Sequence, residues 1–183
     1  MRPFLTFWSM IIMTTAAAAP DAQAAEKMEL TLSTGGPVVI ELLPDRAPQH
    51  VERIKELAAE GFYDGVVFHR VIEGFMAQTG DPTGTGMGGS DRPDLAAEFT
   101  DYPYKRGTIG MARTAAPNTA NSQFFICFDD DGCSFLTGQY TVWGQVVEGM
   151  EYVDAVARGE PPAEPDQIVS LRVVGADTTA SAE

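Results

Sequence analysis

Hydrophobic and polar positions alternate with a period of two in several short runs, and with a helical period in only two. Residues 29–33 (ELTLS) and 38–42 (VVIEL) are β-rich runs on either side of Thr34-Gly35-Gly36-Pro37, the signature of strand, turn and strand. Over 47–59 the period changes: Val51, Ile54, Leu57 and Ala58 share one side, while Glu52, Arg53, Lys55 and Glu56 face elsewhere. This predicts an amphipathic helix, with Pro48 in its first turn and Gly61 just past its end. Strand character returns over 65–72 (GVVFHRVI), where alternation puts Phe68, Arg70 and Ile72 on one face and Val71 on the other. The stretch 79–94 is dense in Gly, Pro and Asp and reads as loop. Further strands are predicted over 107–113, 122–128, 140–146 and 168–174. A second helix is predicted over 148–158, with Met150, Val153, Val156 and Ala157 on one side and Gly159, Pro161 and Pro162 as its stop. Many short strands with two isolated helices predict a mainly β fold: a closed antiparallel barrel with plugged ends, since closure removes exposed edges.

Composition narrows the function without changing this picture. The 183 residues are 44% hydrophobic and 21% charged, a globular mixture large enough for one domain. Lys and Arg total 12 against 26 Asp and Glu, a net charge of −14. Binding to nucleic acid or anionic lipid rests on Lys and Arg, so neither partner is expected. Residues 1–24 depart from the average: Arg2 precedes an apolar stretch from Phe4 to Met13, small residues follow, and Ala22-Gln23-Ala24 fits an A-x-A cleavage site. They are expected to be a secretory signal peptide, with residues 25–175 the domain and 176–183 a polar tail. Cleavage removes Arg2 and Asp21, one charge of each sign, so the acidity persists. The exported product is expected in the periplasm, with no membrane attachment after cleavage and as a monomer.

Several local patterns invite chemistry that their context does not support. Gly84-Thr-Gly86-Met-Gly88-Gly89 satisfies G-x-G-x-x-G, but Asp81-Pro82 precedes it and Asp91-Arg92-Pro93 follows, leaving no helix to receive a pyrophosphate. Asp129-Asp130-Asp131-Gly132 lacks the spacing of a calcium loop and reads as a solvated acidic turn. Of the two histidines, His50 is expected to be exposed at a helix start, and His69 is a candidate base with Ser122 as a candidate nucleophile. No nucleophile elbow surrounds Ser122, which disfavours an exported hydrolase. Cys127 lies in an apolar run and reads as a buried thiol; a disulfide to Cys133 is chemically open outside the cytoplasm, but their spacing does not establish one. No metal or cofactor is called for.

The segment Phe68–Asp81 is different, because it combines a strand, a glycine turn, a second apolar stretch and an Arg amid apolar density. A buried charge of that kind has to be compensated or functional. FHRVI-x-GFM-x-Q-x-GD, followed by GTIGMAR and NSQFFI, resembles the cyclophilin family of peptidyl-prolyl cis–trans isomerases over nearly all of 28–175. The resemblance implies an eight-stranded antiparallel barrel capped by two α-helices, with a groove for proline-containing polypeptide segments on its outer face. It assigns Arg70 as the catalytic arginine and Gln78 as its support. It also assigns Phe75, Met76, Ala112, Arg113, Phe125, Phe135, Leu136 and Tyr140 to substrate binding, and gives His69 no proton-transfer role. Phe135 stands where a tryptophan is common, Tyr140 where a histidine lines the pocket, and Arg113 where an asparagine contributes backbone contacts. These departures resemble the bacterial exported branch and imply weak cyclosporin binding. A barrel of this kind that only holds proline segments is the competing reading; the joint presence of Arg70, Phe75, Met76, Gln78 and Phe125 favours the enzyme.

Overall fold

The computed structural model describes residues 26–175, so the expected signal peptide and the polar tail lie outside the described residues. Eight strands form one antiparallel sheet: β1 (Lys27–Leu32), β2 (Gly35–Leu42), β3 (Arg70–Ile72), β4 (Met76–Thr79), β5 (Thr108–Met111), β6 (Phe124–Cys127), β7 (Val142–Glu148) and β8 (Ile168–Val174). Their spatial order is β3-β4-β6-β5-β7-β2-β1-β8. Helices α1 (Pro48–Ala59) and α2 (Met150–Asp154) pack on this sheet, and a 3-10 turn spans Ser134–Leu136.

Period-two patterning builds the core. Met28, Leu30 and Leu32 of β1 and Val38, Ile40 and Leu42 of β2 point inward, with partners Met28↔Ile40 and Leu30↔Val38 side by side in the ladder. Helix α1 covers this face with Val51, Ile54, Leu57 and Ala58, all buried. Burying the three larger side chains contributes about 1.5–3 kcal/mol each. Ala47 offers no side-chain cap to α1; instead the Glu98 carboxylate accepts the Gln49 N–H at 3.2 Å and the His50 N–H at 3.1 Å. Glu98 also lies 2.6 Å from His50 Nδ1. The expectation of an exposed His50 is therefore corrected: its ring is buried, because the first turn of α1 faces inward and a distant carboxylate caps it.

The expected closed barrel is also corrected. Strands β3 and β8 end the ladder order, and no ladder joins them among the described residues. Only isolated bridges, Val67↔Gln167 and Val71↔Gly159, reach across, so the sheet is an open, curled half-barrel. The strand is short at this edge: of the run expected over 65–72, only three residues form β3, and the chain before them spends its hydrogen bonds on the distant residues 166–168. Phe68, outside the regular strand, turns into the main core with Val71 instead of sharing the face of Arg70. Helix α2 is shorter than the predicted 148–158: Gly149, left-handed at φ +82°, precedes its first turn, and at its end the Asp154 carbonyl accepts the Arg158 guanidinium.

Strands β4, β5 and β6 are buried on both sides. Ala77, Phe124, Ile126, Ile109 and Met111 belong to the main core. On the opposite side Met76, Phe125 and Cys127 join Tyr104, Cys133, Leu136 and Val142 in a second, smaller apolar cluster. Cys127 and Cys133 are disulfide-bonded across a separation of 6 residues, which resolves the alternative the sequence left open.

Candidate active site

The second cluster is the floor of the site. Phe125 and Met76 are brought side by side because β4 pairs with β6, with Gln78 opposite Phe125 and Met76 opposite Cys127. Tyr104 stacks on Phe125 with ring centroids 5.7 Å apart and donates its hydroxyl to the Thr141 carbonyl at 3.2 Å. Gly110 lies beneath both rings; a Cβ there would sit 2.1 Å from the Tyr104 hydroxyl and 2.6 Å from Phe125, so the floor admits only glycine. The disulfide ties the end of β6 to the 3-10 turn, which delivers Leu136 to the pocket wall. Tyr140 completes the wall, edge-on to Phe125 at 5.9 Å.

A cavity of about 140 Å³ opens over this floor, lined by Arg70, Phe75, Met76, Gln78, Ala112, Arg113, Phe125, Leu136 and Tyr140. These are nine of the ten expected site residues. The tenth, Phe135, stands outside the lining; it is 61% exposed and its ring packs 5.6 Å from that of Phe75. Arg113 contributes a side chain as well as backbone: its guanidinium lies 4.3 Å from the centre of the Tyr140 ring and donates to the Thr114, Ala115 and Gln139 carbonyls.

Arg70 stands at the mouth of the cavity, half-exposed, 6.0 Å from the centre of the Phe75 ring. Gln78 is its register partner in β4, yet does not hold the guanidinium. The Gln78 amide donates to Gln123 Oε1 at 2.9 Å, and the Gln123 amide donates onward to the Gly86 and Gly88 carbonyls. The hydrogen bond of Gln78 thus runs to Gln123, and through it to the glycine loop, where a direct contact with the guanidinium was expected. Arg70 Nε instead donates to Glu160 Oε2 at 2.8 Å.

Gln123 and Glu160 are the residues that the sequence reading missed. Gln123 lies inside the NSQFFI motif, but nothing in the pattern shows where its amide points. Glu160 is 90 residues from Arg70, beyond the reach of any local signal. A second cavity of about 510 Å³ adjoins the first, sharing Gln78, Ala112 and Arg113 and walled by Gly86–Ser90, Asn121 and Gln123.

The glycine loop has its own explanation. The buried Asp81 carboxylate accepts the N–H groups of Thr83, Thr85, Gly86 and Gly88 at 2.7–3.1 Å, together with the Thr83 hydroxyl. Those donors are the ones a phosphate would need, and they are occupied. Burial pushes the Asp81 carboxyl up, but the Thr83 hydroxyl and these amides outweigh it and hold the carboxyl at about 2. The hydrolytic alternative fails on similar grounds. Ser122 Oγ donates to the Gly80 carbonyl at 2.7 Å, and neither ring nitrogen of the buried His69 has a partner among the described residues. Asp129 folds back on the Asp131 and Gly132 amides as an acidic turn, and the described residues hold no cluster of three metal-ligating side chains.

Comparison with known proteins agrees with this geometry. Residues 27–173 match the sequence family described as cyclophilin type peptidyl-prolyl cis-trans isomerase/CLD. A probable peptidyl-prolyl cis-trans isomerase of Brucella suis is 48% identical, covering 91% of this chain and 89% of its own. Peptidyl-prolyl cis-trans isomerase-like 3 of Mus musculus is 42% identical, covering 72% of this chain and 83% of its own. Among solved structures, cyclophilin AquaCyp293 from Hirschia baltica superposes with a TM-score of 0.72 at 30% identity, covering 79% of this chain and 72% of that one. A Cryptosporidium parvum cyclophilin type peptidyl-prolyl cis-trans isomerase, crystallised in the presence of the dipeptide Ala-Pro, gives 0.74 at 28% identity, covering 81% and 99%. With the fold, the cavity and these matches in agreement, the chain belongs to the cyclophilin family and is a peptidyl-prolyl cis–trans isomerase.

Proposed function

We propose that Arg70 performs the isomerisation electrostatically while the apolar cavity holds the proline ring. An Xaa–Pro bond turns over in tens to hundreds of seconds unaided, because rotation must break C–N resonance. A catalyst therefore needs no nucleophile, only tighter binding of the twisted amide than of either planar form. As resonance is lost the proline nitrogen gains a lone pair, and a guanidinium N–H aimed at it strengthens only as the twist develops. The observation that carries this reading is the placement of Arg70 at the mouth of a cavity whose other walls are mainly Phe75, Met76, Phe125, Leu136 and Tyr140, while the second cation of the lining, Arg113, spends its guanidinium on backbone carbonyls. The terminal nitrogens of Arg70 make no hydrogen bond among the described residues, which leaves them for the substrate. Turnover in milliseconds requires four to five decades, about 5.5–7 kcal/mol, within the range of a charged hydrogen bond combined with orientation.

The setting proposed for this activity is the folding of exported proteins in the periplasm, in the bacterial exported branch of the family. The apolar stretch and A-x-A site within residues 1–24 support it, and so does the Cys127–Cys133 disulfide, since such bonds persist in oxidising compartments. On this reading residues 25–175 act as a monomeric domain followed by a polar tail, free of membrane after cleavage and with no nucleic-acid partner. Phe135 and Tyr140 keep apolar bulk but lack an indole N–H and an imidazole, so cyclosporin binds weakly.

The test is an isomerisation assay on a short Xaa-Pro peptide. Arg70→Ala is expected to lose about 10²-fold or more in turnover with its thermal unfolding unchanged. Arg70→Lys is expected to lose nearly as much, since an ammonium lacks the planar fork. Near-normal turnover by a folded Arg70→Ala protein would refute the mechanism.

A further inference from the structure

The geometry points to Glu160 as a positioning residue for Arg70, an inference that rests on the catalytic reading of Arg70 given above. Arg70 lies between two flanking segments. On one side its register partner is Gln78 of β4, whose amide is committed to Gln123. On the other side the isolated bridge Val71↔Gly159 runs antiparallel, which sets Glu160 opposite Arg70. That bridge is made by two hydrogen bonds, Val71 N–H to the Gly159 carbonyl at 2.8 Å and Gly159 N–H to the Val71 carbonyl at 2.9 Å. The backbone of Glu160 is therefore held one residue from a fixed point on the strand that carries Arg70.

The contact made there is specific in geometry. Glu160 Oε2 accepts from Nε and not from a terminal nitrogen. A guanidinium is planar, so a bond at Nε constrains its plane while the edge between the two terminal nitrogens faces away from Glu160. With the Phe75 ring 6.0 Å from the guanidinium carbon, the side chain is constrained from two directions. A flexible arginine would have to be ordered in the transition state, losing part of the advantage of a positioned donor.

A contribution to the fold alone does not account for this pair. The two side chains are 41% and 52% exposed, and an ion pair that open adds little to stability. What the contact changes is the direction of the Arg70 guanidinium at the cavity mouth. Gly159 supports the same arrangement: at φ +149° its Cβ would meet Pro162 at 2.5 Å, so the segment that presents Glu160 is built around a glycine.

The experiment compares Glu160→Ala and Glu160→Gln with Arg70→Ala in the isomerisation assay, with kcat and KM measured separately. Thermal unfolding of each and the 15N–1H signal of Arg70 Nε accompany it. Glu160→Ala is expected to lower kcat about five-fold with KM nearly unchanged, and to speed solvent exchange of the Nε proton. Glu160→Gln keeps an acceptor oxygen and is expected to recover most of both. Unchanged or raised kcat in Glu160→Ala would overturn the inference, as would equal losses in the two variants, which would assign the effect to charge. Wild-type turnover in Arg70→Ala would instead remove the reading beneath it, whereas collapse there with a silent Glu160→Ala removes this inference alone.

Discussion

Asp81→Asn tests whether a single carboxylate organises the glycine loop beside the pocket. Asp81 is fully buried and accepts four backbone N–H groups and a hydroxyl. Its carboxyl sits at about 2 against an ordinary 3.8. At about 1.4 kcal/mol per pH unit, that gap is worth about 2.4 kcal/mol at neutral pH. A depressed acid stabilises the fold above its unfolded value and loses that contribution as pH falls towards the folded one. The stabilisation is therefore complete above 3.8, about half gone by pH 3 and absent below 2. Asparagine cannot carry this dependence, and its amide places two donors where the loop already supplies only donors. Urea unfolding followed by emission of the buried Trp143 should show the variant less stable by about 2 kcal/mol at pH 7. The gap should narrow by about 1 kcal/mol at pH 3, because only the wild type loses stability through Asp81. A gap that stays constant between the two pH values would refute the assignment of the low value to Asp81.

The other expectations concern the pocket wall and the histidine behind Arg70. Replacing both Cys127 and Cys133 by Ser opens a short loop, worth about 2 kcal/mol by chain entropy. Because that disulfide anchors the turn bearing Leu136, calorimetry should show a lower Tm and peptide titration a weaker affinity; an unchanged affinity would separate the disulfide from the site. His69 is buried, and burial lowers its pKa below 6.5 despite the nearby Asp81. The unfolded chain then binds a proton first, so stability is complete above about 6.5 and declines as pH falls below it. His69→Gln should flatten that decline between pH 7 and 5 in urea titrations, and an unaltered slope would count against a neutral buried ring.

What the sequence made legible follows from the range of each signal. Period-two and helical patterns act over a few residues, so β1, β2, β8 and α1 were readable from apolar spacing alone. Seven of the nine cavity residues fall in the three motifs, which the pairing of β3, β4, β6 and β5 brings together; Leu136 and Tyr140 lie beyond the motifs, on the 3-10 turn and the segment that follows it. Errors arose where a distant group decides the outcome. His50 is buried because Glu98, 48 residues away, caps its helix. The barrel stays open because the residues before β3 bond to Asp166 and Ile168, at the start of β8, without forming a continuous ladder. None of these partners leaves a periodic trace.

The placement of the pocket also follows from strand alternation, carried one step further than usual. In most half-buried sheets one face is core and the other is wet, so a strand's outward residues are free to be polar. Here β6 reads Phe124-Phe125-Ile126-Cys127 and is buried throughout: Phe124 and Ile126 stabilise the main core, while Phe125 and Cys127 build the second cluster. Such a run looks like ordinary core in a sequence, and only its partners distinguish the sides. Gly110, opposite Phe125 in β5, leaves the room that the stacked Tyr104 and Phe125 rings occupy, and Gln78, opposite Phe125 in β4, forms a polar edge to that aromatic floor. The occupant proposed for the cavity above that floor is the proline ring of a substrate.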